Sequence, residues 1–143
     1  MTKIKVKVVT PERVVCECEA DRVTLPVTDG EVTILANHRS YIASLKIGEI
    51  IARQNDSEIE NSIAVVGGFL EFNDNELVVL ADEAERAEEI DIEKTEAAIK
   101  RAEDIKNKVI QTDEVEYARV AATLEKELSR VKIAKKYLSR KGL

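Results

Sequence analysis

The sequence predicts an α+β protein: an N-terminal antiparallel β-sandwich at residues 1–84 followed by a C-terminal antiparallel two-helix hairpin at residues 85–143. Up to about residue 80, apolar and polar residues alternate with a period of two, as in half-buried strands. From residue 82 onward, apolar residues recur every three or four positions, as on one face of a helix. An acidic stretch at 82–91 separates the two patterns. We therefore predict the domain boundary in this stretch.

Short apolar segments separated by turn residues fill the first part of the chain. The opening strand alternates Ile4, Val6 and Val8 with lysines. Further strands are expected at 14–20, 23–25, 32–35, 42–45, 50–51, 63–66, 69–72 and 77–80, with turns at Gly48, Asn55-Asp56-Ser57, Gly67-Gly68 and Asn73-Asp74-Asn75. Many short strands with no helix between them favour an antiparallel sandwich or barrel over a parallel sheet.

The two cysteines fall inside one predicted strand. Cys16 and Cys18 alternate with Glu17 and Glu19, so both thiols are expected on the inward face, together with Val14 and Ala20. Residues two apart on a strand are about 6.5 Å apart, which would strain a disulfide. The only histidine is His38, so ligands for a metal are too few. We interpret both cysteines as small buried hydrophobic residues.

Two helices are predicted after the acidic stretch. In the first, Asp91 is a plausible N-cap, and the apolar face carries Ile92, Ile99, Ala102, Ile105 and Val109. Thr112 or Asp113 can cap the second helix, whose apolar face is expected at Val115, Ala118, Ala121 or Ala122, Leu124 or Glu125, Leu128, Val131 and Leu138. Alanine buries little area, so this hairpin needs the sandwich or a partner to cover it.

Composition and motifs exclude several classes of function. The net charge of −6 argues against nucleic acid as a partner, because phosphate binding needs a basic surface. No apolar run approaches the roughly 20 residues that span a bilayer, and the first residues lack a signal-peptide core, so membrane association is expected only through partners. His38 has no GxSxG context, and P-loop and GxGxxG motifs are absent. The sequence offers no catalytic residues and indicates that the protein is not an enzyme.

Basic residues are concentrated at the C-terminus. Residues 129–143 contain Arg130, Lys132, Lys135, Lys136, Arg140 and Lys141 and no acidic residue. One interpretation is a solvated helix end, where cations complement the helix dipole. The alternative is an electrostatic contact with an acidic protein surface. Residue pattern alone leaves both open.

Two blocks of sequence carry a resemblance to a known family. The first consists of LPVTDGE at 25–31, ILANH at 34–38 and LKIG at 45–48. The second consists of VGGFLEF at 66–72 and VLADEAE at 79–85, followed by DEVEYA at 113–118. In this order, over essentially the whole chain, they resemble the epsilon subunits of F-type ATP synthases.

That resemblance implies a rotor role and a location. The sandwich would bind the gamma subunit and the c-ring, through a loop that holds Gly30, Glu31 and His38. Without the family, His38 would be read as an ordinary surface histidine. Many relatives have Pro-Gly before the histidine, where this chain has Ala36-Asn37, which leaves the loop backbone open. The implied location is the cytoplasmic face of the bacterial membrane, peripheral, or alternatively an organellar inner or thylakoid membrane.

Regulation is also implied by the resemblance. The hairpin would extend towards the alpha and beta subunits, where Arg130, Lys132, Lys135 and Lys136 would meet an acidic segment and block ATP hydrolysis. Some relatives bind ATP through an I/L-D-x-x-R-A motif. This chain reads IDIEKT at 90–95, so of that site it offers Asp91 and Lys94, and Lys lacks the planar fork of Arg. We therefore expect no cofactor and weak or absent ATP binding. A free-standing binding module is the competing hypothesis.

Overall fold

A computed structural model describes residues 2–55, 60–108 and 113–142. The chain divides into two compact units, one ending at Ala87 and the other beginning at Glu88. The last strand continues to Arg86, so Glu85 and Arg86 belong to the sheet, and the division falls slightly later than the predicted boundary at residue 84. The alternation of apolar residues fades before the strand ends, which is why its length was underestimated.

Eight strands make up the described part of the first unit. They are β1 Ile4–Val9, β2 Val14–Ala20, β3 Arg22–Val27, β4 Gly30–Leu35, β5 Tyr41–Leu45, β6 Gly48–Arg53, β7 Glu60–Asn73 and β8 Glu76–Arg86. The strand order is β2-β1-β8-β7-β5-β3-β4, and β6 pairs with both β3 and β7. The sheet therefore folds back on itself, which confirms the predicted β-sandwich.

Strand β7 joins the two layers of the sandwich. Its first half pairs with β6 and its second half with β5. Gly67 and Gly68 lie between the halves with φ values of +69° and +116°, conformations that glycine adopts without the steric cost of a side chain. The prediction that this glycine pair ends a strand is wrong. The pair forms a corner inside one long strand.

Pairing of β1 departs from a simple antiparallel pattern in two ways. β1 is antiparallel to β2 but parallel to β8, because β1 and β8 are far apart in sequence and need no hairpin turn between them. The register with β2 shifts between Val8 and Val9. Beyond that irregularity the alternation reverses: Val15 is buried, and Val14 is exposed, contrary to the prediction for Val14.

The core of the sandwich is almost wholly aliphatic. Its fully buried large side chains are Phe72, Ile4, Leu25, Ile34, Ile50, Ile63, Leu70, Leu77, Val8, Val23, Val65 and Val79. The Cys16 side chain lies in this core, and Cys18 packs against it. The interpretation as a buried apolar residue is thus confirmed for Cys16, whereas Cys18 is only partly buried.

A polar cluster fastens the corner between β2 and β3. The buried Asp21 carboxylate accepts hydrogen bonds from the Lys3 Nζ atom at 2.9 Å and the Asn55 backbone N–H at 2.7 Å. The pKa of Asp21 is lowered by the Asn55 N–H and then by Lys3, both of which favour the ionised carboxylate. These bonds tie the N-terminus and the end of β6 to one corner.

In its described residues, the second unit has the two helices α1 Ile92–Lys108 and α2 Glu114–Arg140. They form the predicted antiparallel hairpin: Glu96 meets Lys135, and the Lys106 ammonium lies over the Tyr117 ring. The Asp113 side chain caps α2 by accepting from the Glu116 N–H at 3.1 Å. Val109 and Thr112, both named in the prediction, lie outside the described residues. Neither described helix combines the length and apolar character needed to cross a bilayer.

The buried faces of the helices differ from those predicted. In α1 the buried residues are Thr95 and Ala102, and in α2 they are Val120, Glu127, Val131, Ile133 and Ala134. Val115, Leu128 and Ile105 are exposed. The prediction is confirmed for Ala102 and Val131 and wrong for the exposed positions, and on α2 the charged Glu127 occupies a buried position that the pattern did not indicate.

Candidate functional site

The loop between β4 and β5 carries the histidine singled out by the sequence. Asn37 has φ +67°, a left-handed conformation that asparagine tolerates better than most residues. Its N–H donates to the Asn75 Oδ1 atom at 2.6 Å, and the Asn75 Nδ2 atom donates back to the Asn37 Oδ1 atom at 3.1 Å. The loop is thereby held against the turn between β7 and β8.

The His38 ring is positioned by its neighbours. The ring centroid lies 5.8 Å from that of Phe72 in an edge-on arrangement and 5.9 Å from that of Tyr41. The Nδ1 atom lies 2.7 Å from the Arg39 carbonyl oxygen. Because a carbonyl only accepts, Nδ1 carries the proton in this contact.

Gly30 and Glu31 lie at the other end of β4 from His38. Gly30 begins this strand, and His38 follows its last residue, Leu35. Six residues of extended strand separate the two ends by roughly 16 Å. The expectation that one loop holds all three residues is therefore wrong. Glu31 and His38 thus lie at two separate places on the sandwich.

Exposed apolar side chains form a row across one face of the sandwich. Val9 is registered with Val14 on β2 and with Leu80 on β8, and Leu80 is registered with Phe69 on β7. Registered neighbours point to the same face. Val14, Leu80 and Phe69 are 50%, 55% and 58% exposed. We call these four residues the apolar row.

Sequence reasoning missed this row. The alternation of a half-buried strand led us to assign apolar residues to the core, but the segments around Phe69 and Leu80 are apolar at successive positions. Such runs put apolar side chains on both faces of a strand. The runs of consecutive apolar residues, together with the pairing of four strands, locate the apolar row.

Asp91 and Lys94 occupy the start of α1. The Asp91 Oδ1 atom accepts from the Lys94 N–H at 3.1 Å, and the Asp91 carbonyl oxygen accepts from the Thr95 hydroxyl at 2.7 Å. Asp91 thus serves as the N-cap of the helix. Thr95 is buried, and its hydroxyl is used in this bond. These contacts give the Asp91 side chain and the Thr95 hydroxyl a structural role, whereas Lys94 takes part only through its backbone N–H.

The four basic residues proposed for the inhibitory helix lie along the C-terminal half of α2. The Arg130 Nη1 atom pairs with the Glu127 Oε2 atom at 2.7 Å within the same helix. The Lys135 Nζ atom pairs with the Glu96 Oε1 atom of α1 at 2.8 Å. Lys132 and Lys136 are exposed. The cluster is therefore partly neutralised by the hairpin's own carboxylates.

Cys18 lines a groove of about 400 Å³ between β1, β2 and β8. A hydrogen bond with the Cys16 side chain, together with burial, raises the pKa of the Cys18 thiol. A thiol held protonated is a poor nucleophile. Over the described residues no group of three or more His, Cys, Asp or Glu side chains is placed to hold a metal ion.

Comparison with known proteins shows the class of protein to which this fold belongs. The domain described as ATP synthase, Delta/Epsilon chain, beta-sandwich domain matches residues 3–87, the span of the sandwich. A chain of the Euglena gracilis mitochondrial ATP synthase, solved as an assembly of OSCP, F1 and c-ring, has a similar fold, with a TM-score of 0.71 at 22% identity over 86% of this chain and 76% of that one. The fold is that of an ATP synthase delta/epsilon chain.

Curated relatives identify the family within this class. The ATP synthase epsilon chain of Desulforamulus reducens is 39% identical over 130 residues, which cover 91% of this chain and 96% of the relative. That of Carboxydothermus hydrogenoformans is 49% identical over 100 residues, covering 70% and 73%. The chain belongs to the ATP synthase epsilon chain family.

Proposed function

We propose that this chain is a central-stalk subunit of a rotary F-type ATP synthase, without catalytic activity of its own. It would couple the gamma subunit to the c-ring and regulate ATP hydrolysis through its helices. Family membership supports the assembly. The apolar row is the observation that supports a permanent protein partner for the sandwich. The complex would place the chain at the cytoplasmic face of the bacterial membrane as a peripheral component.

The apolar row fits the gamma subunit as a permanent partner. Exposed apolar side chains that continue over four strands mark protein interfaces more often than isolated ones do. On the same face, the neighbouring row carries Lys7 and Glu17, whose charged groups lie 3.7 Å apart. An apolar centre with a polar border is the usual arrangement of a stable interface.

Co-purification with the gamma subunit tests this assignment. We expect Phe69→Ser combined with Leu80→Ser to fold, since both side chains are already half exposed, but to lose gamma. Ile105→Ser removes a comparably exposed apolar side chain on α1, outside the sandwich, and should retain gamma. Retention of gamma by the double variant would exclude the apolar row as the interface.

The two ends of β4 are proposed as contacts with different rotor subunits. Glu31 and His38 lie at opposite ends of β4, and this separation leaves room for two partners. Glu31→Cys and His38→Cys, introduced singly in a chain whose native cysteines are replaced, should each cross-link to only one of the gamma and c subunits. Cross-linking of both variants to the same subunit would contradict this division.

Regulation is proposed to act through α2. Its exposed basic residues Lys132 and Lys136, with Lys135 and Arg130, suit an acidic surface on the beta subunit. Each exposed pair contributes only about 0.2–1 kcal/mol, so several must act together.

A further inference from the structure

α1 contributes little buried apolar surface to the hairpin. Among the described residues, α1 buries only Thr95 and Ala102, and neither side chain removes much apolar surface from water. The larger buried apolar side chains come from α2, at Val120, Val131 and Ile133. Polar contacts between the helices therefore account for a larger share of the hairpin's stability than in a helix pair with a leucine-rich seam.

Two polar contacts secure the C-terminal part of α2 within this unit. The Lys135 Nζ atom lies 2.8 Å from the Glu96 Oε1 atom, and the Tyr137 hydroxyl donates to the Glu88 Oε2 atom at 3.2 Å. Glu88 precedes α1 and Glu96 lies near the start of α1, whereas Tyr137 and Lys135 lie in the last three turns of α2. The contacts thus bind the free end of the long helix to the start of the short one.

The contact of Lys135 differs in kind from that of Arg130. Arg130 pairs with Glu127 three residues earlier in the same helix, so this pair persists wherever α2 moves. The Lys135–Glu96 pair joins two helices and must break when they separate. One ammonium group cannot serve Glu96 and a partner's carboxylate with the same geometry.

We propose that Glu96 and Glu88 form a latch that keeps α2 on α1 and keeps Lys135 from acidic partners. Opening the hairpin requires both contacts to break, and it releases Lys135 at the same moment. Glu96 competes with an acidic partner surface for Lys135, so the inference rests on the proposed regulatory function. Because the pair is about half exposed at both side chains, salt weakens it.

A charge-swap series in the isolated chain tests the latch. Hydrogen–deuterium exchange of amides 126–138 reports on opening. Glu96→Lys and Lys135→Glu should each speed this exchange by roughly 1.4- to 5-fold, the equivalent of about 0.2–1 kcal/mol for an exposed pair. The double variant, with the charges swapped, should restore the original rate. Glu103→Lys, an exposed position on α1, is the control for the change of charge.

Tyr137→Phe removes only the hydroxyl and should speed exchange in the same segment. Unchanged exchange in both Glu96→Lys and Tyr137→Phe, or no restoration in the double variant, would overturn the latch.

A second measurement separates the latch from the proposed function. In the assembled ATP synthase, Glu96→Lys leaves the basic residues of α2 intact and opens the hairpin, so ATP hydrolysis should fall below that of the wild type. Faster exchange with unchanged hydrolysis would support the latch and reject the regulatory role. Unchanged exchange would reject the latch, whatever the hydrolysis rate.

Discussion

Gly68 packs directly against the backbone of Leu80 on the neighbouring strand. A β-carbon at position 68 would overlap the Leu80 carbonyl oxygen and lie 2.8 Å from the Ala81 α-carbon. Gly68 also has φ +116°, a conformation that other residues rarely adopt. The strand that joins the two layers of the sandwich thus depends on the absence of a side chain at this position.

Gly68→Ala should therefore lower the free energy of unfolding by about 2 kcal/mol or more, since a strained backbone position alone costs of order 1–3 kcal/mol. Gly30→Ala is the matched control: Gly30 has φ +136° but open space around its α-carbon, so it tests strain without the clash. Chemical denaturation measures both. A Gly68→Ala variant no less stable than Gly30→Ala would show that the close approach to Leu80 carries no cost.

Acid should weaken the corner fastened by Asp21. The pKa of Asp21 in the folded protein is lowered, chiefly by the Asn55 N–H and then by Lys3. The ionised carboxylate therefore contributes its full stabilisation at pH values above 3.8, the ordinary pKa of the group. That stabilisation is lost as the pH falls through the lowered value. Asp21→Asn should be less stable than the wild type at pH 7, with a difference that shrinks as the pH falls below 3.8.

Unfolding by denaturant over this pH range measures the effect, with Asp29→Asn in the exposed β3–β4 turn as the control. A difference between Asp21→Asn and the wild type that does not change with pH would contradict the role of the ionised carboxylate.

Replacing the basic residues of α2 should relieve inhibition. We expect the quadruple change of Arg130, Lys132, Lys135 and Lys136 to Ala to raise ATP hydrolysis by the assembled enzyme. Deletion of everything after Thr112 should raise hydrolysis at least as much. Arg130→Ala alone should have the smallest effect of the four, because Glu127 already neutralises Arg130 within α2.

The effect should shrink with rising salt, because screening weakens exposed pairs. Replacement of Lys100, Arg101 and Lys108 on α1 controls for the loss of charge. Equal hydrolysis by wild type, quadruple variant and truncation at low salt would reject the regulatory role and leave the stalk assignment in place.

Nucleotide binding to the isolated chain should be weak or absent. Asp91 is engaged as the N-cap of α1, and the Thr95 hydroxyl is bonded to its carbonyl oxygen. Calorimetry should give no ATP dissociation constant near or below about 10 μM, which corresponds to roughly −7 kcal/mol. Such binding, weakened by Lys94→Ala, would overturn this prediction. Lys94→Arg with Thr95→Ala is the variant expected to gain affinity.

Local pattern alone determined the two-part organisation of this chain. Alternation with period two and then 3.6 is written into neighbouring residues, because each element must bury one face, and it predicted the sandwich, the hairpin and the Asp113 cap. The inward cysteines followed from the same rule. The blocks around Gly68 and His38 were sufficient to indicate the family.

Only the tertiary structure decided which surfaces and contacts those elements create. Residues distant in sequence come together in the parallel pairing of β1 with β8 and in the apolar row. No local periodicity encodes such pairings, nor the corner that Gly67-Gly68 forms within β7. The buried Glu127 and the Lys135–Glu96 pair likewise depend on how two helices pack, because a charge can be buried where a neighbouring charge compensates it.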